Sequence, residues 1–192
     1  MLQQVDFVVE STIAGKPNGV HSAFYASYFK LADMNIPAAQ VYRLQLLSRA
    51  AYQATRVGHS RIGFHPPLTR PCPKLYVVVR GAQFHYVGIT NRPMAARLNL
   101  GLKAKGKGGY HGYKWKHIRD PLGLLVWAFE HKSGAAFLRE LETVEAEVAF
   151  LVRQTTGQWP LSQTEIHFYQ PTSAHLQAAK DILQGAHGAN VS

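Results

Sequence analysis

The sequence predicts an α+β fold, a small mixed or antiparallel sheet flanked by helices, with an N-terminal strand–helix extension. Three observations lead there. Two β-branched runs, LYVVV and HYVGIT, are separated only by RGAQF, as in a hairpin. Segments on either side of the hairpin carry apolar residues at every third or fourth position, the helical period. Proline and glycine mark the joints between the two textures. With 192 residues and 46% apolar content, the chain can bury one sizeable core and an elaboration, but not a second large domain.

The elements follow in order. VDFVVEST alternates and reads as a first strand, with Val5, Phe7 and Val9 on one face. IAGKPNGV is a turn, and residues 21–34 read as an aromatic-rich helix. A second helix is expected over 37–57, with Pro37 in its first turn and Val41, Leu44, Leu47 or Ser48, and Ala51 as an apolar stripe. Arg43, Arg49 and Arg56 fall outside that stripe, and Gly58 ends the helix. GHSRIGFHPPLTRPCP is a loop that leads into the hairpin. Asn91 caps and Pro93 starts a helix over PMAARLNLGLKA, which KGKGGYHG follows as a flexible or turning segment. GLLVWAFE is the next strand. A long helix then carries Phe137, Leu141, Val144, Val148 and Leu151 at helical steps and closes at Gly157. PLSQTEIHFYQP is extended, and the tail from Ser173 holds a short helix with a frayed end. The expected organisation is an extension over 1–73, a central domain over 74–170 and a tail over 171–192.

Charge narrows the function. The formal net charge is +10, and no Asp or Glu occurs from Met34 through Arg119, whereas Lys and Arg recur throughout that stretch. A one-signed segment of this length suits a polyanion. No uncharged apolar run is long enough for a membrane span, so no membrane partner is expected. The start lacks a basic signal-peptide region, and Cys72 is the single cysteine, which together point to a reducing cytoplasm.

Chemistry converges on the middle of the chain. Cutting a phosphodiester needs a nucleophilic water, a group that accepts its proton, and cations to stabilise charge on the phosphoryl group. Tyr76 and Tyr86 sit on neighbouring strands, ten residues apart. Arg97 on the following helix offers a planar cationic fork. A glutamate on the long helix offers a hard oxygen ligand for a divalent ion. The lysine run gives Lys103, Lys105 and Lys107 to a basic loop suited to a nucleic-acid backbone, and Lys114 follows it.

The stretch from Lys74 to Phe168 resembles the GIY-YIG nuclease family. The first signature tripeptide is Lys74-Leu75-Tyr76, the second is Tyr86-Val87-Gly88, and His111, Lys114 and Trp115 match an HxxKW pattern further on. The resemblance implies a metal-dependent endonuclease that hydrolyses phosphodiester bonds, with DNA the expected substrate and RNA the other possibility. It assigns Tyr76 to water activation, Tyr86 to the hydroxyl pair, Arg97 to the scissile phosphate and His111 to the Tyr76 hydroxyl. Gly88 would permit close approach of backbone or substrate. Glu147 is the expected ligand of one Mg²⁺ or Mn²⁺. It stands four residues before Leu151, and the apolar stripe borders it more closely than it borders Glu145, which points about 200° away at 100° per residue. Gln163 replaces a family asparagine, and Glu165 and His167 border or support the site. Arg43, Arg49 and Arg56 would add phosphate contacts from the extension. The family histidine one turn after the arginine is missing, since Asn99, Leu100 and Gly101 stand there instead. A non-catalytic nucleic-acid-binding protein on the same scaffold is the alternative.

Overall fold

The computed structural model describes residues 34–48, 51–107 and 110–189. The strand expected at 5–9 and the helix expected over 21–34 lie, except for residue 34, outside the described residues, as does Arg49. The chain from Met34 onward forms one compact unit.

That unit is α+β. Its strands are β1 (Gln40–Leu46), β2 (Tyr52–Arg56), β3 (Lys74–Arg80), β4 (Gln83–Thr90) and β5 (Leu122–Ala128). They lie in the order β2-β1-β5-β3-β4, and every neighbouring pair is antiparallel. Three helices accompany them among the described residues: α1 (Met94–Lys103), α2 (Gly134–Thr156) and α3 (Ser173–Gly188).

The sheet is covered on both faces, which explains the unbroken apolar runs of β3 and β5. On one face Leu75, Val77, Leu125 and Trp127 pack with Leu141, Val144, Val148 and Val152 of α2 and with Ala179 and Ile182 of α3. On the other, Tyr76, Val78, Leu124 and Val126 pack with Met94, Leu98 and Leu102 of α1, with Tyr113 and Trp115, and with Tyr42 and Leu44 of β1. Alternate residues of each strand therefore serve different cores.

The helix expected over 37–57 is instead the β1–β2 hairpin. Tyr42, Leu44 and Leu46 are buried while Arg43 between them is exposed, a period of two that the 41-44-47-51 stripe concealed. The turn closes with Leu47 N–H donating to Ala51 O at 2.9 Å. Because β1 pairs with β5, these residues belong to the sheet itself, in the same compact unit as the hairpin that follows residue 73.

The tail is also part of the core. Thr172 caps α3 by accepting from the His175 backbone N–H, while the His175 ring accepts from Thr172 N–H at 3.0 Å, which satisfies two helix-end donors. His175 Nε2 then lies 2.6 Å from Glu140 Oε2 of α2, both ends of the contact being largely out of water. With Ala178, Ala179, Ile182, Leu183 and Ala186 buried, residues 173–188 are a packed helix rather than a frayed end.

Candidate active site

A cavity of about 830 Å³ opens beside β4. Its floor is Tyr86 of β4, with Arg97 of α1 and the 110–114 segment on one side. Glu142, Glu145 and Ala146 of α2 and residues 164–167 form the other side. Elements far apart in sequence thus bring the hydroxyl-bearing residues Tyr86, Tyr110 and Thr164, one guanidinium, carboxylates and the imidazoles of His111 and His167 to a common space.

Arg97 is held by tyrosines. Its Nε donates to Tyr76 Oη at 3.1 Å, its Nη1 donates to Tyr110 Oη at 3.4 Å, and the guanidinium carbon lies 5.4 Å from the Tyr113 ring centroid. Tyr113 Oη in turn donates to Arg97 O at 3.4 Å and lies 3.0 Å from Tyr76 Oη. The bonds close head to tail when Tyr76 donates to Tyr113. The Tyr76 proton then points into the cluster, away from the cavity.

Tyr113 is the residue that sequence reasoning missed. It stacks on Trp115 at 4.4 Å and occupies the space that a side chain at position 101 would need. Gly101, with no side chain of its own, leaves the space that the Tyr113 ring fills. The Gly101–Tyr113 exchange leaves no linear pattern beyond an isolated glycine in a helix.

Gly88 has a related role. It faces Tyr76 across the β3–β4 pair, and a Cβ there would sit 2.5 Å from the Tyr86 ring and 2.7 Å from Tyr76. It makes room for the two rings, 5.8 Å apart, rather than for substrate.

Several expected residues are placed differently. Tyr76 is fully buried and does not line the cavity. Burial first, then the neighbouring Tyr113, pushes its hydroxyl well above the ordinary tyrosine range, with Arg97 opposing. Tyr86 of the same hairpin does line the cavity, and its hydroxyl is also raised, by burial and then by Tyr76 and Glu145. His111 lines the cavity, but the partner of the Tyr76 hydroxyl is Tyr113.

The long helix turns Glu145, not Glu147, into the cavity. Glu147 is buried at 8% exposure and shares by helical spacing the side of Glu140, which reaches His175 of α3. The apolar stripe beside Glu147 serves the sheet and α3, so bordering it means facing the core. Glu145 keeps part of its surface in the cavity, yet burial first and Glu142 second push its carboxyl up to about 8, against the pull of Arg97.

Glu165 and His167 both line the cavity and pair with each other, Nε2 to Oε1 at 2.9 Å. Gln163 is not in the cavity. Its Oε1 accepts from Val87 N–H at 3.0 Å and its Nε2 donates to Glu165 O at 3.3 Å, so it fastens the cavity wall to β4.

Of the basic residues, Lys103, Lys105 and Lys114 line a second cavity of about 1020 Å³ that shares His111, Gly112 and Lys114 with the first and has no carboxylate in its wall. Lys107 is exposed nearby in sequence. Lys116 is committed to structure, donating to Ala104 O and His111 O at 2.9 and 2.7 Å. Arg43 and Arg56 lie on β1 and β2, at the sheet edge opposite β4. Arg56 is directly across from Tyr42 and so on the opposite face from Arg43. They do not form the single phosphate-facing stripe that a helix would have given them.

Among the described residues no group of three or more His, Cys, Asp or Glu side chains converges as a metal site, and no helix is long and apolar enough to cross a membrane. No family model matches the chain, and no curated protein or solved structure matches it.

Proposed function

We propose that the chain is a divalent-metal-dependent nuclease that hydrolyses phosphodiester bonds in DNA, RNA being the other substrate the same chemistry would serve. The observation that carries this is the meeting of Arg97, Tyr86 and Glu145, from α1, β4 and α2, in one cavity that adjoins a purely basic one. The order of hairpin, arginine helix, strand and glutamate helix supports the same reading.

The residues divide the work as follows. Arg97 faces the non-bridging phosphoryl oxygens, where its charge is worth more in a partly enclosed site than in water. Tyr76 and Tyr113 are positioning residues that fix its angle. Tyr86 supplies a neutral donor beside it. His167 is the proton acceptor: when its Nε2–H donates to Glu165, Nδ1 keeps its lone pair for the attacking water. The water oxygen bonds to phosphorus, the bond to one sugar oxygen breaks, and the proton returns from the imidazole to that leaving oxygen.

The oxygen donor for a Mg²⁺ or Mn²⁺ ion in this reading is Glu145, which has Glu142 and Arg97 as its charged neighbours. Glu145 would hold it, with water and phosphate oxygens as the other ligands. Once bound, it would supply Lewis-acid stabilisation of phosphoryl charge. Lys103, Lys105, Lys107 and Lys114 track the neighbouring phosphates.

Incubation with Mg²⁺ or Mn²⁺ and supercoiled, linear, single-stranded, branched and RNA substrates tests the proposal. Metal-stimulated cleavage of at least one is expected. Salt-sensitive binding to all of them without cleavage would instead establish the binder, a reading favoured by the full burial of Tyr76.

A further inference from the structure

A cluster of aromatic side chains continues beyond the cavity and has no part in the chemistry above. Phe150 and Phe168 are 43% and 52% exposed, and each ring lies just over 6 Å from that of Trp159, which stands between them. Arg153 of α2 lies over the Trp159 ring at 5.0 Å, and Arg139 lies over Tyr169 at 4.3 Å. We propose that Phe150, Trp159 and Phe168, with Arg153, form a stacking surface for unpaired nucleobases, so that the substrate or product strand leaves the cavity single-stranded along this path.

Continuity with the cavity carries the inference. Ala146 lines the cavity, and Phe150 is one helical turn further along α2 on the same side. Ile166 lines it too, and Phe168 is two residues further along the same segment. A strand leaving past Ile166 therefore meets exposed rings. The chemistry is complementary to such a strand. Bases stack on aromatic rings with little regard to sequence, while an arginine beside the ring serves both the π-face and a phosphate. A duplex hides its base faces and gains nothing from the rings. Large apolar side chains held this exposed, with Arg153 and Arg139 over neighbouring rings, suit a polyanion with apolar faces. The inference rests on the nucleic-acid part of the proposal above, not on its catalytic part.

Tryptophan emission reads the contact directly. Trp115 and Trp127 are buried at 0% and 3% exposure, so Trp159 is the tryptophan that a base can reach. The full chain is titrated with an oligothymidylate about 12 nucleotides long, within the range of known single-strand sites, and with a blunt duplex of equal length. Quenching by the single strand is expected, and it should disappear in Trp159→Phe. Phe168→Ala and Phe150→Ala, both at exposed positions, should each weaken single-strand binding by roughly tenfold or more while leaving duplex affinity within about twofold. Absence of quenching, equal quenching by duplex, or unchanged single-strand affinity in both alanine variants would overturn the inference. So would a concentration-dependent dimer that either variant abolishes, because the rings would then bind a second copy. Metal-stimulated duplex cleavage by the unmodified chain is scored separately. A chain that cleaves duplex without binding oligothymidylate through these rings loses this inference alone. One that binds through them and cleaves nothing keeps it and loses the nuclease.

Discussion

Arg97 Nε donates to Tyr76 Oη at 3.1 Å, and that hydroxyl is wholly buried. The tyrosine expected to activate water is thus the support of the arginine expected to bind phosphate. Tyr76→Phe should lower turnover by about 100-fold, as a misaimed catalytic group does, while leaving the pH profile unchanged. Arg97→Ala should cost about 100-fold to 1,000-fold, since it removes the charge itself. A Tyr76→Phe variant whose pH–rate profile loses a limb would show that the phenol is the base after all.

Glu145→Gln should abolish metal-stimulated cleavage and leave nucleic-acid affinity largely intact. Glu147→Gln should keep cleavage and lower the melting temperature, because Glu147 lies on the inward side of α2. Parallel cleavage assays and thermal melts on both variants decide the matter. Loss of cleavage in the Glu147 variant alone would place the metal ligand back at that position.

The Glu145 carboxyl, pushed up to about 8 chiefly by burial, makes stability depend on pH. An unfolded glutamate titrates near 4.3, so between about 4 and about 8 the folded state holds the proton more tightly. Stability should therefore fall as pH rises through that window when no divalent ion is present. Glu145→Gln should flatten the decline, and Mn²⁺ should offset it above about pH 7 by binding the ionised carboxylate. Melts of both proteins across the window check this; superimposable curves would rule out Glu145 as the titrating group.

His167→Ala should reduce cleavage by about 100-fold or more, the usual worth of a positioned base. Glu165→Gln should cost less, since the 2.9 Å pair is exposed and screened. If His111→Ala is the more damaging change, the proton leaves by the opposite wall.

The basic residues should separate by location. Lys105→Ala and Lys114→Ala should each reduce the salt slope of binding by ~0.9 or less. Arg43→Ala with Arg56→Ala should leave affinity and slope unchanged, because these arginines stand at the far edge of the sheet. Fluorescence anisotropy at several salt concentrations measures both; a large loss in the arginine pair would show that nucleic acid crosses the β1–β2 edge.

Much of the region from Lys74 to Thr156 was legible because each element carries one dominant period. β3 and β4 are β-branched, α1 starts at a proline, and α2 steps by three and four. Arg97 and Tyr86 line the same cavity. The failures occur where one pattern serves two partners. Tyr42, Leu44 and Leu46 alternate, but Val41, Leu44 and Ala51 also fit a helix, and pairing with β5 decides between them. Glu147 adjoins the apolar stripe, but the stripe faces the sheet and α3, while the cavity is a quarter turn or more away beside Glu145. Tyr113 was invisible because its place is defined by what Gly101 lacks. The packing of α3 was missed because small alanines bury well without a strong apolar signal.

The position of β5 bears on how the chain assembles. Each hairpin, β1–β2 and β3–β4, joins neighbours in sequence, but Leu122–Ala128 lies between β1 and β3 and is the last strand to be synthesised. Until it arrives, Gln40 and Val126 are distant in the chain, and neither hairpin has the central partner that completes one sheet. Two such ribbons are marginal alone, and their joining carries the loop-closure entropy of a long intervening segment. The sheet is therefore completed only when β5 pairs with β1 on one side and β3 on the other, and its central contacts are the long-range ones that slow folding.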